Sequence, residues 1–260
     1  MFEDLYRRLN RRRYVHPDPL EFLYAHDDPS DREIVGLVAS SLAYGRVAQI
    51  LRDVSMVLER MPKPARFVRD AAPSGVKAAF AGFKHRFTTG DELADMLLSA
   101  RRVLRSYGSL EACFASAARG AGDTVLPALS AFAGELNAAR SPAKNTLIPS
   151  PDSGGACKRL NLFLRWMVRS DDVDPGGWTS VPPSRLIVPL DTHMHRLGRA
   201  LGLTARNQAD MRTALEVTRA FRSIAPDDPV RYDFSLTRLG IRPDCGADEF
   251  LDACRLCEAR

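Results

Sequence analysis

Lys158, Asp191, His193 and His195 are the side chains whose type and setting could support chemistry. Lys158 follows Gly154, Gly155, Ala156 and Cys157. Paired glycines admit backbone angles closed to other residues, and an apolar stretch with helical period starts directly after them. The first N–H groups of a helix lack intrahelical partners, so a glycine loop running into a helix is suited to holding a phosphate. Lys158 falls in the first turn of that helix, where the positive end of the dipole should favour a neutral amine. A neutral lysine amine is a nucleophile suited to Schiff-base formation. The same residues also read as a glycine turn followed by a solvated lysine, and spacing leaves both readings open.

Asp191 follows the run Leu186, Ile187, Val188, Pro189, Leu190 and is predicted to cap the next helix. A capping carboxylate stands at an element boundary, where it can face a cleft and react. Asp191, His193 and His195 are also residue types that bind zinc or iron. Two residues apart on a helix, however, His193 and His195 point about 200° from each other, which sets the spacing against a shared metal.

The elements that must position these residues read as helices. Strand signals are nearly absent: the only β-like run is Leu186 to Leu190, and Pro189 argues against a central strand. Ser30 or Asp31 could cap a helix with Ile34, Leu37, Val38 and Leu42 on one face. Asp91 opens another, striped by Leu93, Met96, Leu97, Val103, Leu104 and Tyr107. A third is predicted over 157–168, with Leu160, Phe163, Leu164 and Met167 spaced for burial. A fourth follows Asp191 and carries Met194, Leu197, Leu201 and Leu203; two more cover 207–224 and 230–239. The loops 141–155 and 170–189 separate them, the second long enough to be either functional or a packed insertion.

Composition bounds the rest. With 260 residues, 45% of them apolar, the chain can bury a sizeable core. The formal charge of +5 suits a polyanionic partner. Only Lys63, Lys77, Lys84, Lys144 and Lys158 among the 37 basic residues are lysines. Arginine pairs well with phosphate, although a GC-rich coding sequence gives the same bias. Met1 to Asn10 is charged and lacks the apolar stretch of a signal peptide, and no run approaches a membrane span. Five scattered cysteines point to a reducing compartment. The expectation is a cytoplasmic protein, nucleoid-associated if DNA is its partner.

Two segments carry a resemblance. Val188, Pro189, Leu190, Asp191, Thr192, His193, Met194, His195 and Arg196 resemble the V-x-V-D-T/V-H-M/V-x-R segment of the helix-hairpin-helix DNA glycosylases, the superfamily of endonuclease III. Gly154 to Asn161 is similar to their hairpin, G-V/I-G-x-K-T/V-A-N/D. Weaker likenesses keep the same order. Ile34 to Ile50, including Tyr44 and Arg46, is similar to their LL-x-x-I/L-LS-x-Q helix; Phe83 to Phe87 resembles a G-Y/F-R-Y/F element; and Arg231 to Cys245 falls at their L-I/M-x-x-G-x-x-x-C stretch. The chain departs from the pattern at Ala156, for the hairpin's second glycine, and at Leu160, for its alanine. The glutamine and aspartate expected near Tyr44 and Gly45 are also missing. It is therefore expected in an uncharacterised bacterial family at the edge of that superfamily.

The resemblance implies an all-α, two-lobed fold with a cleft between a central lobe (30–187) and a second lobe (1–29 with 188–260). It implies a base-excision repair glycosylase, with AP-lyase activity if Lys158 is the nucleophile, and with Asp191 as the catalytic carboxylate. Gly154, Gly155, Arg159, Arg196, Tyr44 and Arg46 would contact double-stranded DNA bearing a damaged base, and the protein would act as a monomer. The alternatives are a non-catalytic nucleic-acid binder and a metal-dependent hydrolase at Asp191, His193 and His195. Cys245, Cys254 and Cys257 are similar to three of the four ligands of the 4Fe–4S loop in endonuclease III. Because the set is incomplete, no cofactor is expected.

Overall fold

A computed structural model describes residues 1–120, 122–138, 146–241 and 250, with backbone only at 240 and 241. The described residues are predominantly helical. The helices run α1 (Phe2–Leu9), α2 (Pro29–Ser41), α3 (Val47–Glu59), α4 (Pro64–Asp70), α5 (Pro73–Ala79), α6 (Gly90–Tyr107), α7 (Leu110–Ala118), α8 (Leu126–Asn137), α9 (Lys158–Val168), α10 (Thr192–Ala200), α11 (Met211–Ile224) and α12 (Asp233–Ile241). Among the described residues no helix is long and apolar enough to cross a membrane.

The helix starts follow local chemistry. Asp28, not Ser30 or Asp31, caps α2, accepting from Ser30 N at 2.8 Å, with Pro29 opening the helix where a missing N–H costs nothing. The helix expected from Asp91 begins at Gly90, because Thr89 and Glu92 close a reciprocal capping box. Sequence patterning missed one short hairpin: Lys84–His85 pairs antiparallel with Thr88–Thr89, two residues per strand and too short for an alternating pattern. Leu186 to Leu190 forms no strand; this buried run is held partly by Val188 N donating to Thr218 Oγ1 at 3.0 Å.

The core is helix on helix. α2 is buried along most of its length and packs on α9. Gly36 permits the approach, since a Cβ there would meet Met167 and Phe163 at 3.3 Å. Phe163 packs edge-on against Trp178, which also contacts Phe114 and Phe132. The long loop 170–189 is thus a packed insertion. It ties off the end of α9 through Gly176 N to Trp166 O (3.0 Å) and Trp178 N to Met167 O (2.8 Å). Buried Glu33 on α2 fixes the insertion from the other side: one oxygen accepts from Trp178 Nε1 and Glu111 N, the other from Leu110 N. Burial raises the pKa of Glu33, and those three donors offset part of the rise.

Candidate functional site

Both residues singled out for chemistry lie at helix starts. Lys158 is the first residue of α9. The turn before it is tight: Gly154 takes φ +80°, and Cys157 takes φ 48°, a left-handed conformation uncommon for a side chain with a Cβ. Cys157 is buried, and burial pushes its thiol up to about 11, which keeps it protonated near neutral pH. Gly154 and Gly155 are exposed, and a Cβ on Gly154 would meet nothing within 4 Å. Gly154 O accepts from Met211 N at 3.1 Å, which ties the turn to the start of α11.

Asp191 caps α10 through Oδ1, which accepts from Met194 N at 2.8 Å. Its Oδ2 lies 3.2 Å from Lys158 Nζ. One carboxylate oxygen is therefore oriented by the helix it starts, and the other faces the amine. Their side chains retain 21% and 34% of their exposure, so solvent and ligand can reach the pair.

The pair lies on a cleft with a cavity volume of about 100 Å³. Lys158, Leu162, Arg165 and Trp166 line it from α9, at the four- and three-residue steps that place side chains on one helix face. Asp233, Thr237 and Arg238 of α12 line it as well, with Asp18, Pro19, Ala43, Ile50 and Pro189. Its charged lining is braced from behind. Arg165 Nη1 donates to Asp233 Oδ2 and Arg165 Nε donates to Asp174 Oδ1 at 3.1 Å. Arg169 pairs with Asp174, Asp171 and Asp228, and Arg238 with Asp18. Burial works against both arginine charges, but the surrounding carboxylates outweigh it and raise both pKa values.

The remaining expected contacts divide into two groups. Arg46 and Arg196 are exposed. Arg159 instead donates to Ser41 O at 2.9 Å and to Thr146 O, with its guanidinium 5.1 Å from the centre of the Tyr44 ring. Tyr44 is itself tied down, its hydroxyl 3.0 Å from His85 O and 2.7 Å from Thr88 Oγ1. Beneath it His85 and Asp53, both buried, meet at 2.7 Å, a pair sequence reading missed. His195 Nε2 lies 2.9 Å from Arg206 O. Among the described residues no group of three or more His, Cys, Asp or Glu is placed to hold a metal ion, and Asp191, His193 and His195 do not form one. Cys245, Cys254 and Cys257 lie outside the described residues.

Residues 18–242 match the family described as "Protein of unknown function (DUF2400)", and the chain belongs to that family. No curated protein and no solved structure matches the chain.

Proposed function

We propose that the protein is a DNA N-glycosylase with AP-lyase activity, acting at the Lys158–Asp191 pair. The observation that carries this reading is the 3.2 Å approach of Lys158 Nζ to Asp191 Oδ2 at the edge of a cleft. The segments that resemble glycosylase motifs supply both groups, and contact distance is what a nucleophile and its base require. The lining also draws on both proposed lobes: Ala43 to Trp166 from 30–187, and Asp18, Pro19 and the residues from Pro189 onward from the other.

In this reading the exposed Gly154–Gly155 turn, Arg46 and Arg196 hold the phosphate backbone of DNA, while Arg159 and Tyr44 pack against each other inside the protein. The damaged nucleotide leaves the stack and enters the cleft. Asp191 takes a proton from the Lys158 ammonium and stabilises the positive charge that develops on the sugar. The amine attacks C1′; its C–N bond forms as the glycosidic C–N bond breaks, and the base departs with the bonding pair and takes up a proton. Opening of the sugar ring gives the Schiff base, from which elimination of the 3′ phosphate cleaves the strand.

Borohydride tests this directly, because it reduces the imine to a stable amine. The wild-type protein should become covalently attached to a duplex bearing a suitable damaged base, and Lys158→Gln should abolish the adduct. Trapping that survives Lys158→Gln would place the nucleophile elsewhere. DNA binding with no trapping on any lesion would leave a non-catalytic binder, and activity lost to a chelator would favour a metal-dependent hydrolase.

A further inference from the structure

A folded chain covers most of its large aromatic side chains, because each left in water forfeits a large apolar area. Phe87 is an exception. It keeps 74% of its exposure, and no other large hydrophobic among the described residues exceeds 44%. With Arg86 it forms the turn of the short hairpin, between Lys84–His85 and Thr88–Thr89. That turn is anchored. Both nitrogens of the buried His85 ring are engaged, Nδ1 at 2.7 Å from Asp53 Oδ2 and Nε2 at 3.0 Å from Tyr44 O. The Tyr44 hydroxyl ties both strands, at His85 O and Thr88 Oγ1. Arg86 takes φ 52°, a left-handed angle uncommon outside glycine. Its side chain lies over Gly45, where a Cβ would meet Arg86 Cδ at 2.7 Å. A braced hairpin thus holds an aromatic ring out in water.

The charge around the ring has one sign. The Arg86 guanidinium is 5.3 Å from the centre of the Phe87 ring. Lys84, Arg86 and Arg46 are exposed, and neither 83–89 nor 44–48 contains an Asp or Glu. The tip also adjoins the Lys158–Asp191 cleft. Ala43 lines that cleft, and the ring of the next residue, Tyr44, has Arg159 at 5.1 Å and Arg86 at 6.0 Å. From these observations we infer that the hairpin tip is a stacking site for an unpaired base of DNA. Phe87 takes the face of the base, and Arg86, Lys84 and Arg46 attract the neighbouring phosphates. Every base has a π-face, so the contact tolerates any sequence, whereas a base inside an intact stack has no free face to offer. The site therefore selects DNA whose stacking is already interrupted. This deepens the glycosylase reading, from which it takes DNA as the partner, but it needs no covalent step.

Fluorescence anisotropy on the full chain tests it with three labelled probes: a paired duplex, the same duplex carrying one bulged adenine, and one of its strands alone. The bulged and single-stranded probes should bind more tightly than the paired duplex. Phe87→Ala should weaken both about five- to a hundredfold, the worth of one base stacked on an aromatic ring, and leave the paired duplex unchanged. Phe87→Trp should keep the preference; Phe87→Leu, apolar but without a stacking face, should not. Equal binding of the three probes by the wild type, or a preference that survives Phe87→Ala, would overturn the inference. So would any result that gives the ring another occupant. A markedly lower melting temperature in Phe87→Ala would show part of this chain covering it, and a dimer lost in that variant would show a second copy. Binding to vesicles of equal parts phosphatidylcholine and phosphatidylglycerol, lost in the same variant, would show a membrane surface. A bulge preference lost in Phe87→Ala, without borohydride trapping on any lesion, would sink the glycosylase reading and leave the tip standing. Trapping with equal binding of paired and bulged duplexes would do the reverse.

Discussion

Lys158 and Asp191 each occupy the start of a different helix, and the ammonium of one stands 3.2 Å from the carboxylate of the other. Asp191 thereby has two separable duties, one per oxygen. Asp191→Asn keeps an oxygen for Met194 N but loses the charge. It should slow single-turnover base release about 100- to 1000-fold while leaving the melting temperature near wild type. Asp191→Ala should lose the rate and also about 1 kcal/mol of stability from the missing cap. Equal melting temperatures for the two variants would show that the cap contributes nothing.

DNA affinity should fall steeply with added salt, because phosphate contacts release counterions. Arg196→Gln should weaken binding to all sequences alike and reduce the slope of log affinity against log salt by about 1. Filter binding of one duplex across a salt series measures both. A slope unchanged in the variant would remove Arg196 from the interface.

The brace behind the cleft should dominate stability among the ion pairs. Asp174 is fully buried and accepts from both Arg165 and Arg169. Asp174→Ala leaves two buried guanidinium groups short of a counter-charge and should cost about 3–5 kcal/mol. Breaking the exposed Arg66–Asp70 pair with Asp70→Ala should cost under about 1 kcal/mol. Denaturant melts of the two variants give the comparison, and similar losses would contradict it.

Much of this site is legible in the sequence because its parts are local. A glycine turn before an apolar-periodic stretch locates the head of α9, and Asp191 after an apolar run reads as the cap it is. The capping box at Thr89 was equally readable, since Thr89 and Glu92 have the required spacing. The brace was not: Arg165 meets Asp174 and Asp233 through tertiary packing, and no local period announces a pairing between α9 and α12. Nor could spacing show that Arg159 turns inward onto Tyr44, because whether a half-buried arginine faces solvent depends on carbonyls far along the chain.

Asp233 supplies a pH signature. Burial pushes its carboxyl up to about 6 from an ordinary 3.8; Arg165 pulls it down, while Asp191 and Asp174 push it up. Lys158 and Arg238 share the cleft lining and add positive charge there. The folded protein therefore holds this proton more tightly than the unfolded chain. Between about pH 4 and pH 6 the contribution of Asp233 to stability falls as pH rises, and the cost of its charge is fully in place above about 6. Asp233→Asn should remove that component from the dependence of melting temperature on pH. A pH dependence of melting temperature unchanged in Asp233→Asn would assign the titration to another group.

The insertion that ties off α9 beneath Trp178 makes that helix a lever arm. From Val168 to Lys158 the axis is about 15 Å long, so a tilt of roughly 4° about the tethered end carries the amine about 1 Å from its carboxylate. A displacement of that size can cost about 100-fold in rate. On the glycosylase reading, loosening the aromatic packing at Trp178 should show as lost turnover with DNA binding intact.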